Sequence, residues 1–138
     1  MEEALRLPVR SRLDADQARR AARHLATELG FSRLDAESVA LAVSELAMNL
    51  HRYARDGEMV LQAVQDGARR GIEIVSIDAG PGIADLDLAL QDGYTTGGGL
   101  GSGLPSARRL MDEFELTTTS SGTRIMARKW LSTQSPSA

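Results

Sequence analysis

Cysteine is absent from the 138 residues, so the chain can form neither a disulfide nor a thiolate metal site. Lysine occurs once, as Lys129, far from the glycine-rich stretches, which excludes a phosphate-binding loop of the form G-x-x-x-x-G-K-[ST]. No apolar run approaches the ~18 residues of a membrane-spanning helix. Met1-Glu2-Glu3 is acidic where a secretory leader would be basic. Net charge is −3, the pI is about 5.4 and the arginines are scattered, so there is no electrostatic footprint for nucleic acid. A cytoplasmic protein that binds neither nucleic acid nor membrane is expected. Ser44 lacks the G-x-S-x-G elbow of a hydrolase, and His24 and His51 have no partner arrangement in the sequence.

What is abundant is glycine, and it is concentrated. Seven of the thirteen glycines fall in Asp78-Ala79-Gly80-Pro81-Gly82-Ile83 and in the stretch Tyr94 to Pro105, between a strand-like run and a helix-like run. Backbone without Cβ atoms lets a ligand approach closely, and glycines leading into a helix start present free N–H groups that suit phosphate. A dinucleotide fingerprint fails here, because Gly80-Pro81-Gly82-Ile83-Ala84-Asp85 puts Asp where the third Gly should be. Asp78 at a strand end is then either an ordinary turn former or an acceptor for an exocyclic amine, with Gly82 leaving space for a flat ring.

At this length one domain is expected, burying about two-thirds of its unfolded surface. It should span 1–131, with a disordered tail at 132–138. Leu5, Leu7 and Val9 alternate with polar residues, and Pro8 makes that strand an edge. A first helix runs from about Asp14 to Leu29 on Ala18, Ala22, Leu25 and Leu29, with Gly30 as its C-cap. Ser32 and Asp35 open a second helix with the stripe Val39, Val43, Leu46, Leu50 and Tyr53. Glu58 to Gln65 and Gly71 to Ile77 read as a hairpin across Asp66 to Arg70. A short spacer helix at Leu86 to Gln91 comes next, then a third helix on Leu104, Ala107, Met111 and Phe114. Phe114 to Ser120 and Thr123 to Trp130 close the chain as a last hairpin, with Trp130 as core or edge packing. Met48, Met59, Met111 and Met126 are expected to fill core gaps. The order β, α, α, β, β, α, β, β implies an α/β two-layer sandwich: a mostly antiparallel sheet with helices on one face.

Glu45 and Asn49 lie one turn apart on the second helix, beside its apolar stripe. Such a pair is most often a solvated flank. The functional alternative gives Asn49 as a magnesium ligand and Glu45 as a proton acceptor near phosphates, since magnesium takes few protein ligands and completes its shell with water and substrate.

Ser44-Glu45-Leu46-Ala47-Met48-Asn49, Asp78-x-Gly-Pro-Gly-Ile, the lid Thr95 to Pro105 and Gly122-Thr123 occur in the order found in the GHKL ATPase superfamily, which this chain resembles over about residues 5–131. Within it the chain looks like the anti-sigma serine/threonine kinases, and among them the RsbT-type switch kinases of bacterial stress signalling and the stressosome. Gln91 to Thr96, Arg108 to Phe114 and Lys129-Trp130-Leu131 carry that closer likeness. The resemblance implies the Bergerat fold binding ATP and Mg2+. It makes Glu45 the base toward a substrate hydroxyl and Asn49 the magnesium ligand, with Asp78 reading the adenine amino group, Gly82 under the ring and Thr123 assisting Asp78. Gly99, Gly101 and Gly103 would line the phosphates, with Gly80, Gly97, Gly98, Leu100 and Ser102 completing the nucleotide site. Ser120-Ser121-Gly122 is shorter than the glycine-containing loop of many relatives, and Ala79 stands where a polar residue is frequent.

The implied function is phosphorylation of a serine or threonine on a STAS-type antagonist or scaffold protein, followed by a change of partner to a PP2C-type phosphatase or a sigma factor. A different class is an ATP-gated binding module with little or no transfer, against which the presence of Glu45 counts. A part of a larger histidine-kinase or chaperone machine is the third possibility, disfavoured because the domain fills the chain.

Overall fold

A computed structural model describes residues 4–53, 57–79, 104–119 and 122–131. The described elements are β1 (Leu5–Val9), α1 (Arg12–Leu29), α2 (Arg33–Tyr53), β2 (Gly57–Asp66), β3 (Arg69–Asp78), α3 (Leu104–Leu110), β4 (Glu113–Thr119) and β5 (Gly122–Trp130). Their order is the expected one. The spacer helix and the tail lie outside the described residues, as does the Tyr53 side chain.

Helix α1 starts two residues earlier than expected because Ser11 caps it. Ser11 Oγ accepts from the Asp14 N–H at 3.1 Å, and the Asp14 carboxylate accepts from the Arg10 N–H at 2.9 Å. The helix ends where Gly30 takes a φ of 103°, with Gly30 N–H donating to Thr27 and Phe31 N–H to Ala26. Its buried side is Ala15, Ala18, Ala22 and Ala26, while Leu25 and Leu29, expected in the core face, are only half-buried. An all-alanine seam lets α1 lie close against α2, and the longer leucines then wrap its flank.

Ser32 Oγ accepts from the Asp35 N–H at 3.1 Å and opens α2, whose Val39, Val43, Leu46 and Leu50 are buried as the spacing predicts. This 21-residue helix packs on α1, on α3 and on the sheet. Strands run in the order β1-β2-β3-β5-β4, each pair antiparallel, with β1 at an edge as Pro8 requires. Met59 and Leu61, Ile72 and Ile74, and Ile125 and Ala127 point toward the helices and complete the core. The β2–β3 turn is Gly67-Ala68, tighter than the five-residue tip expected, since Gly67 takes φ 62° and the strands pair out to Asp66 and Arg69.

Phe114 belongs to β4 and not to α3. The helix stops at Leu110, and the Asp112 N–H donates to the Arg128 carbonyl at 2.8 Å, pulling the chain onto β5. Met59 and Met111 are core residues, Met48 packs against the core, and Met126 sits on the outer face of the sheet with Val60 and Val75. Beside that apolar row runs a polar one. Gln62, Glu73, Arg128 and Glu113 are successive cross-strand partners, and Glu73, 8% exposed, accepts from Gln62 at 2.8 Å and from Arg128 Nε at 2.9 Å. Trp130 ends β5, donating its Nε1 hydrogen to Glu113 at 2.8 Å under the Arg69 guanidinium, 4.0 Å from the ring centroid.

Candidate functional site

The second half of α2 supplies the first two residues. Val43, Leu46, Ala47 and Leu50 are buried, and they fix the rotation of the helix so that Glu45 and Asn49 stand half-buried at the margin of the core. Asn49 Oδ1 is buried and accepts no hydrogen bond among the described residues. Leaving an amide oxygen in that condition costs about 1–3 kcal/mol. It suits a hard cation, which takes oxygen ligands. The solvated-flank reading of Asn49 is therefore not what the structure shows, since a solvated amide would not bury its oxygen.

The other two residues meet at the end of the sheet. Asp78, the last residue of β3, is the direct cross-strand partner of Thr123, near the start of β5. Thr123 is 7% exposed, and its hydroxyl lies 2.9 Å from that of Thr118 on β4. Gly122 makes this junction possible: its φ is 155°, and a Cβ there would run into the Asp78 carbonyl oxygen. Gly122→Ala is expected to cost about 1–3 kcal/mol, read as a lowered Tm by circular dichroism, because backbone and not a movable side chain blocks the methyl.

Helix and sheet end come to the same place. Gly57, the first residue of β2, sits against Leu50, so close that a Cβ on it would lie 3.0 Å from Leu50 Cβ. In the β2–β3 ladder Glu58 pairs with Ile77, which brings the start of β2 to the Asp78 end of β3. The turn of α2 carrying Asn49 thus borders the strand end carrying Asp78 and Thr123. Helix α3, with Leu104, Pro105 and Ala107 buried, packs on α2. The expected contacts at Gly80, Gly82 and residues 97–103 lie outside the described residues.

Thr118 escaped the sequence reading, and so did the steric reason for Gly122, which the sequence named only within its motif. Thr118 was legible only as part of a β-branched run, although counting back across the turn from Thr123 places it opposite. The close approach of Gly122 to Asp78 depends on strand order, which local pattern does not carry.

Residues 8–129 match the family described as the histidine kinase-like ATPase domain. The serine/threonine-protein kinase RsbT of Bacillus subtilis (strain 168) is 43% identical over 119 residues, covering 86% of this chain and 90% of that protein. Among solved structures, the RsbU and RsbW domains of a Mycobacterium tuberculosis protein superpose with a TM-score of 0.63 at 21% identity. The match covers 94% of this chain but only 32% of that one. The mycobacterial sensor histidine kinase MprB gives a TM-score of 0.56 at 16% identity over 94% of this chain and 97% of that one. The two structural likenesses speak for the fold alone.

Proposed function

This chain belongs to the histidine kinase-like ATPase domain family and, within it, to the serine/threonine-protein kinases; from that premise we propose that it phosphorylates a STAS-domain antagonist or scaffold protein and thereby switches partner. In this reading the substrate hydroxyl oxygen attacks the γ-phosphorus of ATP, the bond from that phosphorus to the β–γ bridging oxygen breaks, and ADP leaves. Glu45 takes the hydroxyl proton. Positioning and charge neutralisation supply most of the rate, because phosphoryl transfer asks little covalent chemistry of the protein.

The Asp78 carboxylate accepts a hydrogen bond from the adenine amino group, with Thr123 beside it and Gly82 under the ring. Gly80, the lid residues Gly97, Gly98, Gly99, Leu100, Gly101 and Ser102, and Gly103 enclose the rest of the nucleotide. Asn49 Oδ1 would hold Mg2+, which when bound neutralises phosphate charge. The observation that carries the reading is the buried Asn49 Oδ1, unpartnered among the described residues, one helical turn from Glu45 and bordering the Asp78 strand end. Once the antagonist is phosphorylated, the kinase is released to a PP2C-type phosphatase or a sigma factor in a cytoplasmic stress pathway.

The test is to supply γ-labelled Mg-ATP with a cytosolic extract of the source cells. Label is expected on one small protein. Capture of that protein that depends on ATP but leaves it unlabelled would replace the kinase with a nucleotide-gated binder.

A further inference from the structure

Leu34 and Leu41 are 77% and 45% exposed on a helix whose opposite side is almost wholly buried. They are not scattered. Leu34, Ser38, Leu41 and Glu45 step by four, three and four residues, which draws one line along the solvent side of α2. At 1.5 Å per residue the line runs about 16 Å from Leu34 to Glu45. An apolar track therefore ends at the carboxylate assigned as the base.

Arginines flank this track. Arg23 of α1 reaches Glu37 of α2, with Nε at 2.8 Å in a charge contact too bent for a hydrogen bond and Nη2 donating at 3.2 Å. Because the two helices are antiparallel neighbours, one turn further along each brings Arg19 level with Leu41. Arg19 Nε is buried and makes no hydrogen bond among the described residues, and Arg33, exposed, adjoins Leu34.

We propose that this face of the α1–α2 hairpin docks the phospho-acceptor protein, engaging an apolar ridge on that protein that is rimmed with carboxylates. The proposal rests on the reading of Glu45 given above. A serine/threonine-protein kinase of this size must hold a macromolecular substrate while its hydroxyl reaches the base, and the stripe is continuous with that base. Apolar surface of the acceptor covers Leu34 and Leu41, and its acidic rim meets Arg19 and Arg33. A second copy of the chain fits less well. A two-fold axis would set the arginine flank against itself.

The protein labelled in the transfer assay, once purified, serves as the probe, and its phosphorylation is followed at graded acceptor and ATP concentrations. Leu34→Asp with Leu41→Asp is expected to raise the half-saturating acceptor concentration at least tenfold and to leave that of ATP within about twofold. Arg19→Glu should raise the acceptor value in the same direction. Leu5→Asp, at another exposed leucine on the edge strand β1, should change neither. An unchanged acceptor requirement in the leucine variant would overturn docking on this face. So would sedimentation showing that the variant dissociates a wild-type dimer. If wild type labels no protein, the Glu45 reading fails and the docking proposal with it, an outcome distinct from label that survives the leucine changes.

Discussion

Glu45→Ala is expected to lower phosphoryl transfer by roughly 10²–10⁴-fold, the usual contribution of a positioned general base, with ATP affinity within about twofold of wild type. The separation of the two effects follows from where Glu45 stands. It projects from the margin of α2, and its neighbours Val43, Leu46 and Ala47 hold the helix without it. Asn49, one turn on, keeps its place when Glu45 is truncated. Calorimetric titration with Mg-ATP beside the labelled-transfer assay measures both quantities on one preparation. Transfer at the wild-type rate would remove Glu45 from the role of base, and joint loss of transfer and ATP binding would mean that it serves the nucleotide site instead.

Arg128→Ala is expected to be the most destabilising single change on the outer face of the sheet, at about 2–4 kcal/mol. The Glu73 carboxylate lies between Gln62 and Arg128 with its side chain 10% exposed, and Arg128 Nη2 approaches it at 2.8 Å. Hydrogen bonding to Glu73 raises the Arg128 pKa above its already high ordinary value, so the guanidinium stays charged at any pH where the chain folds. Its removal leaves a carboxylate in the middle of the central strand with only an amide for company, and the penalty is that of a stranded charge. In a domain of this size each kcal/mol corresponds to about 3–5 °C in Tm. The double variant Glu73→Ala with Arg128→Ala should therefore melt above Arg128→Ala alone, because the lone charge has gone. A double variant that melts below both single variants would show the pair to be worth more than its isolation penalty.

The elements of the fold were largely legible because their signals are local. The period-two alternation of β1, the glycine after α1 and the stripe on α2 each reflect a single element meeting a single core. The errors lie where tertiary contact decides. Ser11 and Asp14 start α1 ahead of its apolar pattern, Ala15 and Ala26 displace leucines from the seam, and the hold of Arg128 on Asp112 moves Phe114 from helix to strand. The site divides the same way. Glu45 and Asn49 share a helix, so their juxtaposition follows from spacing alone. The buried state of the Asn49 oxygen, the pairing of Asp78 with Thr123 and the steric need for Gly122 arise from strand order and helix packing.

The two rims of the sheet have a bearing on traffic around the molecule. One rim is the five-residue β1, where Pro8 has no N–H to donate; the other is β4, whose outward positions Glu113 and Glu115 carry negative charge. Neither is a template on which a foreign strand could be zipped. The outer surface between them carries a ladder of amide, carboxylate and guanidinium beside the apolar row of Val60, Val75 and Met126. With both rims unsuited to strand addition, contact across the helices would be made by side chains and could be reversed without tearing backbone pairing.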